Sequence, residues 1–518
     1  MAKVAGLELR EDDQSTVVTP VSTQRGAIVI KSLRGTLNER VLCNNTREFR
    51  EMFGNEAPGY YGHYAALLAL EQMPVYVVRT ADADDLPLWA GATFGEDGSS
   101  ETNAAFAVGT VNPNTYVYGA DVAMIVCAAN PGAWGNTVKV MVTHDDVDSE
   151  VFWLAVYVED SDGNYFKAEE WECSRVTDKL NGYGKSLFVE DVVNDISKYI
   201  YVKSNSAIAG TSLPAEQLTQ LTLASGDDGT APAAADIATA WDTYFKNKND
   251  VSFTIAIAGG WSDSVVANKI NEVCGLRQDC RGILDTANST VVATVTASRE
   301  AWSLVYPSYS DIYAPWVKFT DTVNDKLLEL PPSGFVAYAN ARKNNEANKW
   351  DAFFGKERGI LPVQGLVVNF DETDQQLLVD SQINPIIQQP NVGVFIYGGY
   401  TAQVSLSARS WVNVRELLNE DEQAILSYLD IFIGKNNTAF NRLRAQSTLE
   451  KYFRPRTGDN AGYYAVGVVC DNSNNDAAAI DRGELHVDIY VQPVKPINRI
   501  LLQVIIKPTG SSLTETSF

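Results

Sequence analysis

Histidine is scarce in this chain, with only three among 518 residues. His63, His144 and His486 fall in a predicted helix, loop and strand, and none has a second histidine or cysteine at metal-ligand spacing. Structural roles and no metal site follow from that isolation. Cysteine is nearly as rare. Cys43, Cys127, Cys173, Cys274, Cys280 and Cys470 show no framework spacing, which excludes a disulfide scaffold and predicts reduced, mostly buried thiols. Long apolar runs are missing too: "YAALLALEQMPVYVV" is broken by Glu71, well short of the ~20 residues that cross a bilayer, so no direct membrane insertion is expected. The opening "MAKVAGLELREDDQ" reaches charge too soon for a secretory signal. Cations are outnumbered, 41 Lys and Arg against 65 Asp and Glu, for a net charge of −24. That balance argues against nucleic acid as a partner, because phosphates demand clustered cations. It suits a protein that stays soluble at high concentration before it assembles.

Catalytic motifs are also wanting. "NGYGKS" (181–186) ends like a phosphate-binding loop, yet the glycine required at 179 is Lys179, so a hairpin turn is expected. "GGWSDS" around Ser262 fails the nucleophile-elbow pattern at Ser264, and its glycines are read as turning a strand into a helix that starts at Asp263. "EDSDGN" (159–164) lacks the order of a calcium loop, and "SGDDGT" (225–230) reads as an exposed acidic turn. The tryptophans are dispersed with no basic groove for them to serve. No catalytic residue, cofactor site or metal site is assigned.

What is present is ordinary globular material, 45% apolar, 20% charged and 10% aromatic, long enough for about three or four domains. Residues 1–24 read as an arm. "GAIVI" (26–30) and "VYVVRT" (75–80) are strands flanking helices in "TREFREMFG", with Thr46 as N-cap and Gly54 as stop, and "GHYAALLALEQ". Residues 91–225 are rich in Val, Tyr and Thr, with a hairpin turning at Asp162-Gly163, and read as a β-rich outward insertion. Strand and helix then alternate again from 226 to 389. The last part begins near "GVFIYGGYT" (393–401) and carries a helix with Val414, Leu417, Leu418, Ile425, Tyr428, Leu429 and Phe432 on one face. The expected fold is multidomain, of α/β and α+β parts. A discontinuous α/β middle domain (25–90 and 226–389) is interrupted by the insertion, and an α+β domain (390–495) follows, then an arm (496–518).

The two ends carry a further signal. In "ELHVDIYVQPVKPINRILLQVIIK" (484–507), Leu485, Val487, Ile489 and Val491 alternate with polar residues, and a second β-prone stretch lies beyond Pro493 and Pro496. Strands leave unpaired N–H and C=O groups along their edges. Residues 1–20 hold an acidic excess and 495–518 a basic one, each with a β-prone segment set off by proline or polar linker. Either both tails fold back on their own domain or they complete sheets in neighbouring copies. Five or six ladder bonds at roughly 0.5–1.5 kcal/mol each make such a junction worth several kcal/mol. The residues expected in a linking sheet are Leu7, Leu9, Val487, Ile489, Val491, Ile500, Leu502, Val504 and Ile506.

A resemblance then becomes specific. "ANPGAWGNTVKVMV" (129–142), "PSYSDIYAPWVKF" (307–319), "PPSGFVAYANAR" (331–342), "INPI" (383–386), "GVFIYGGYTA" with "SWVNVRELL" (393–418), "CDNSNNDAAAIDRGELHVDIYVQPVKPINRI" (470–500) and the opening "LELREDDQSTVVTPVSTQRGAIVI" resemble the tail sheath proteins of contractile-tailed bacteriophages. The resemblance implies a structural, non-enzymatic virion protein. It implies stacked hexameric rings forming a helical polymer around a tail tube protein, with baseplate and tail terminator proteins as further partners. The sheath would assemble in the host cytoplasm and contract from a metastable extended state to drive the tube through the host envelope. It places 390–495 against the tube and the insertion outside. The alternatives are the sheath of a cellular contractile injection or secretion system and, from another class, a cytosolic α/β hydrolase.

Overall fold

The computed structural model describes residues 24–99, 103–106, 113–160, 163–498 and 500–502. Outside the insertion the strands are β1 (Gly26–Ile30), β2 (Arg40–Cys43), β3 (Val75–Arg79), β4 (Ile255–Ile257), β5 (Arg281–Asp285), β6 (Ser310–Ala314), β7 (Asn384–Gln389), β8 (Gly393–Ile396), β9 (Tyr463–Val469) and β10 (Asp488–Pro493). The main helices are α1 (Thr46–Phe53), α2 (Tyr61–Leu70), α3 (Ala234–Phe245), α4 (Ser264–Arg277), α5 (Val292–Glu300), α6 (Pro332–Glu346), α7 (Glu372–Asp380), α8 (Val412–Leu429) and α9 (Ala439–Phe453).

Eight strands form one sheet in the order β8-β7-β6-β5-β4-β1-β3-β2, parallel except for β2 and β8 at its edges. Parallel strands are buried on both faces and read as continuous apolar runs. In β1 the alternation divides the run, with Ile28 and Ile30 facing α1, α2 and α6 and Ala27 and Val29 facing α3, α4 and α7. "YGHYAALLAL" in α2 is apolar all round because it lies between the sheet and α6, with nine of its ten residues buried. Its neighbour approaches closely: a Cβ on Gly334 of α6 would lie 2.5 Å from Ala65 Cα.

The insertion is built from two four-stranded antiparallel sheets that share one core of Phe94, Met124, Val126, Val140, Phe152, Leu154 and Val202. Its long hairpin joins strands Val151–Glu159 and Tyr165–Ser174, with Gly163 at φ 82° in the turn; Asp162 lies outside the described residues. The chain enters and leaves beside itself, Leu88 N–H donating to Asp227 O at 2.9 Å and Gly91 N–H to Ala224 O at 2.9 Å. "PGAWGN" and "SGDDGT" meet at this neck. Ala133 N–H donates to Asp228 Oδ1 at 2.8 Å, Asn136 exchanges two hydrogen bonds with Gly226, and Arg79 from β3 donates to Pro131 O at 2.8 Å. Gly132, at φ 140°, is needed because a Cβ there would strike Leu33 O at 2.4 Å.

Several expectations shift. Asn45, not Thr46, caps α1, its Oδ1 accepting from Glu48 N–H at 2.8 Å, since the cap position falls one residue earlier. Gly54 ends that helix as expected, at φ 85°. Asp263 is likewise the N-cap of α4 and not its first residue. "GVFI" does not open the last part: Asn391 and Gly393 take positive φ, the chain reverses, and Ile396 pairs with Ile386 at the edge of the large sheet.

Gly334→Ala should cost about 1–3 kcal/mol, because two backbones and not a flexible side chain must give way. Urea unfolding of the monomer measures this, and an unchanged midpoint would show that α2 and α6 have room to spare.

Candidate functional site

The C-terminal unit stands on two helices. Leu417, Ala424, Tyr428 and Phe432 from α8 and the turn after it pack with Ala445, Leu449, Tyr452 and Phe453 from α9. Leu418, Ile425 and Leu429 join as half-buried neighbours, so six of the seven positions predicted for this face meet in one core, while Val414 is buried outside it. Asp421 accepts from Tyr452 Oη at 2.7 Å and Tyr463 Oη at 2.6 Å, tying α8 to α9 and β9. Burial pushes this carboxyl above its usual range, against the pull of the Tyr463 hydroxyl and Arg456.

Onto this base lies a sheet of only two strands, β9 and β10, antiparallel from Tyr463↔Pro493 to Val469↔Asp488. Asn475, almost wholly buried, sets the entry to β10 by donating to His486 O and accepting from His486 N–H, at 2.9 and 2.8 Å. Ile489 and Val491, with Leu485 and Val487 ahead of the strand, turn toward the helices; Asp488, Tyr490 and Gln492 face solvent. Apart from a single bridge between Thr457 and Tyr463, no further strand pairs with either outer edge among the described residues. A two-stranded sheet alone is marginal, and its free edges are templates for added strands.

Beyond β10 the chain crosses the α/β body, where Asn498 donates to Tyr400 Oη at 2.5 Å. Ile497, Ile500, Leu501 and Leu502 are then 81–84% exposed. Four exposed aliphatic side chains thus stand within six residues, interrupted by Asn498 and Arg499. Of the nine linking residues expected from sequence, Ile489 and Val491 lie in this sheet and Val487 stands just ahead of it. Ile500 and Leu502 stand apart from it in no strand, and Leu7, Leu9, Val504 and Ile506 lie outside the described residues. The partner strand β9, "YYAVGVV", was missed by the sequence reading; its signal is a β-branched and aromatic run after the turn residues "GDNAG".

Helix α8 joins this unit to the body. Its first turns are buried there, Asn413 donating to Trp350 O at 2.8 Å and Asn419 to Cys280 O at 3.2 Å. Between them Glu416 receives Lys343 Nζ at 3.4 Å, Asn340 at 3.1 Å and Asn344 at 2.7 Å. Burial alone would raise the Glu416 carboxyl, but the charges of Lys343 and then Arg281 hold it at about 2. Lys343 is pulled down by its own burial, and Glu416 opposes that.

Most residues of catalytic interest are tied into structural contacts. An open α/β sheet binds ligands outside the carboxyl ends of its strands where the strand order reverses, here between β1 and β4. Side chains plug that crevice. Gly259 N–H donates to Ser333 Oγ at 3.1 Å, while Asp285 accepts from Gly260 N–H at 2.8 Å, Ser333 N–H at 2.8 Å and Ser333 Oγ at 2.5 Å. His63 is buried against Ser32 Oγ at 3.0 Å, and burial holds its pKa down at about 4; His144 meets Pro214 O and His486 meets Glu484. "NGYGKS" closes as a turn, Gly184 N–H donating to Asn181 O at 2.9 Å. All six cysteines are free and buried, and burial pushes the Cys43 and Cys127 thiols up to about 12, which makes them unreactive. Among the described residues no metal-ligand cluster occurs, and no helix is long and apolar enough to cross a membrane.

The fold is that of sheath proteins. It is similar to the crystal structure of a sheath tail protein from Desulfitobacterium hafniense, with a TM-score of 0.56 and 12% identity over 90% of this chain and 93% of that one. It is also similar to the anti-feeding prophage helical sheath in its contracted state, with a TM-score of 0.53 and 14% identity over 98% of this chain and 99% of that one. No family model matches. By sequence the chain is similar to the tail sheath protein of Enterobacteria phage T4, 28% identical over 359 residues, covering 64% of this chain and 53% of the relative. It is 29% identical over 266 residues to that of Vibrio phage KVP40, covering 48% of this chain and 40% of the relative. The chain thus spans about half the length of the curated relatives it matches, each of which is named a tail sheath protein.

Glu416→Gln should strip Lys343 of its charge partner and cost about 3–5 kcal/mol at pH 7. Because the Glu416 carboxyl sits below its usual 4.5 in the folded chain, its contribution is present above pH 4.5 and is lost as pH falls toward 2. The gap between parent and variant should therefore close across that window in urea unfolding; a constant gap would contradict the pairing.

Proposed function

We propose that this chain is the contractile sheath subunit of a phage tail. It stacks as hexameric rings around a tail tube and contracts to drive the tube through the host envelope. The observation that carries this reading is the open-edged β9–β10 sheet, followed by exposed aliphatic side chains, in a chain similar to tail sheath proteins. Residues 1–24 and 496–518 are the linking arms, and they complete the two-stranded sheet of a neighbouring copy. The C-terminal unit built on α8, α9, β9 and β10 faces the tube, the middle domain with its eight-stranded sheet forms the body, and the insertion (91–225) faces outward. Baseplate and terminator proteins bound the polymer, which assembles in the host cytoplasm and resides in the virion. Work comes from the difference between two sets of contacts among copies, with no cofactor. A sheath of an extracellular injection system is the second reading, favoured by the likeness to the anti-feeding prophage sheath. The phage reading is preferred because the curated relatives matched by sequence are phage tail sheath proteins.

A chain ending at Pro496 should remain a folded monomer that does not polymerise, and Val504→Pro should act similarly by removing a ladder donor. Negative-stain microscopy and sedimentation read the outcome; full-length tubes from either variant would overturn the role of the arm.

A further inference from the structure

The insertion meets the body at a second place besides the strands of its neck. Arg34, in the loop after β1, sends Nη2 to Glu51 O at 2.6 Å, which satisfies a carbonyl in the last turn of α1, and reaches Lys198 O of the insertion at 3.5 Å. Its guanidinium lies 4.8 Å from the ring of Trp134 and 5.7 Å from that of Tyr199, both half-buried in the insertion. At these distances an aromatic face attracts a cation, so one side chain of the body holds two rings of the insertion. Lys198 Nζ adds an ion pair to Glu51 Oε2 at 2.9 Å, but both side chains are exposed and such pairs contribute little.

Either side of this contact is tied down. In the body, Ser32 Oγ donates to Phe53 O at 2.7 Å and Arg79 Nη1 to Gly35 O at 2.7 Å, so the loop that carries Arg34 is fixed to α1 and β3. In the insertion, Ser197 Oγ donates to Glu169 Oε2 at 2.6 Å, Lys198 N–H to Glu169 Oε1 at 3.1 Å, and Ala129 N–H to Tyr199 O at 2.9 Å. Glu169 belongs to the strand Tyr165–Ser174 of one sheet, and Ala129 follows the strand Val122–Ala128 of the other. Residues 197–199 are therefore bound to both sheets, and they are no part of the chain's entry or exit. Units joined through a small interface move relative to one another by default. A second attachment away from the crossing strands removes that freedom.

We propose that Arg34 is a latch that fixes the angle between the insertion and the body, so that the two move as one piece. It is a positioning residue: α1 holds the guanidinium in place, and Trp134 and Tyr199 close on it. The latch is a property of a single chain, and its readouts are independent of how copies assemble.

The test measures distances in the full chain by pulsed electron paramagnetic resonance, with spin labels on Tyr183→Cys in the insertion and Leu327→Cys in the body. Both positions are exposed, whereas the six native cysteines are buried. With Arg34 present, one narrow distance distribution is expected. Arg34→Ala should lose it and give a broad one, while circular dichroism shows unchanged secondary structure. Tyr199→Ala, which removes the insertion's half of the contact and leaves the body intact, should broaden it as well. Lys198→Ala, which removes only the exposed ion pair, should leave it narrow. A narrow distribution in either Arg34→Ala or Tyr199→Ala would show that the neck alone sets the angle and would overturn the proposal. A broad distribution with Arg34 in place, or one in Lys198→Ala as broad as in Arg34→Ala, would overturn it equally.

Discussion

The amides and carbonyls along the outer sides of β9 and β10 set the terms for the rest of this molecule. Among the described residues, this sheet of two strands satisfies one ladder and leaves its two outer rows with no further strand. The strands survive because α8 and α9 supply a floor of Tyr428, Leu449, Phe453 and their neighbours, so burial of one face stabilises what hydrogen bonding alone would not. That floor is itself held by Asp421, whose two tyrosine hydrogen bonds fix the angle between helices and sheet. The result is a rigid platform presenting open edges, which is what a chain needs if further strands are to add to it.

The same economy explains the body. An eight-stranded doubly wound sheet offers a binding crevice almost by construction, and here the glycines that would line it are used for close packing. Gly260 and Gly62 admit Tyr61 and Ile30 to within about 3 Å of where a Cβ would stand. Asp285 spends its lone pairs on Ser333 and Gly260, capping α6 and not facing solvent. Chemistry has been displaced by packing at the one place where the topology invites it.

Much of this was legible in sequence because the periodicities are strong. β1, β3, α2, α4 and α8 fall where their apolar patterns put them, and the alternation from Leu485 to Val491 gives the correct inward face. What escaped detection depended on contacts distant in sequence. β8 reads as a fresh start since its partner β7 lies across a turn set by two positive-φ residues, Asn391 and Gly393. β9 is masked by Gly467 and by two tyrosines whose burial differs completely, Tyr463 enclosed and Tyr464 largely exposed. The neck of the insertion joins residues some 90 apart, which no local pattern encodes. "PGAWGN" was noticed as a motif, while its reason, the contact of Gly132 with Leu33 O, is purely tertiary.

One helix makes the platform and the body a single lever. α8 has 18 residues, about 27 Å, with one end sunk in the α/β core and the other in the C-terminal core. Glu416 locks it to α6 through Lys343, Asn340 and Asn344, and Asp421, less than two turns on, locks it to β9. A force applied at the open strands therefore reaches the large sheet without passing through a loop. Buried ion pairs suit such a joint, since separating Glu416 from Lys343 leaves two uncompensated charges, whereas sliding an apolar interface costs little until it opens.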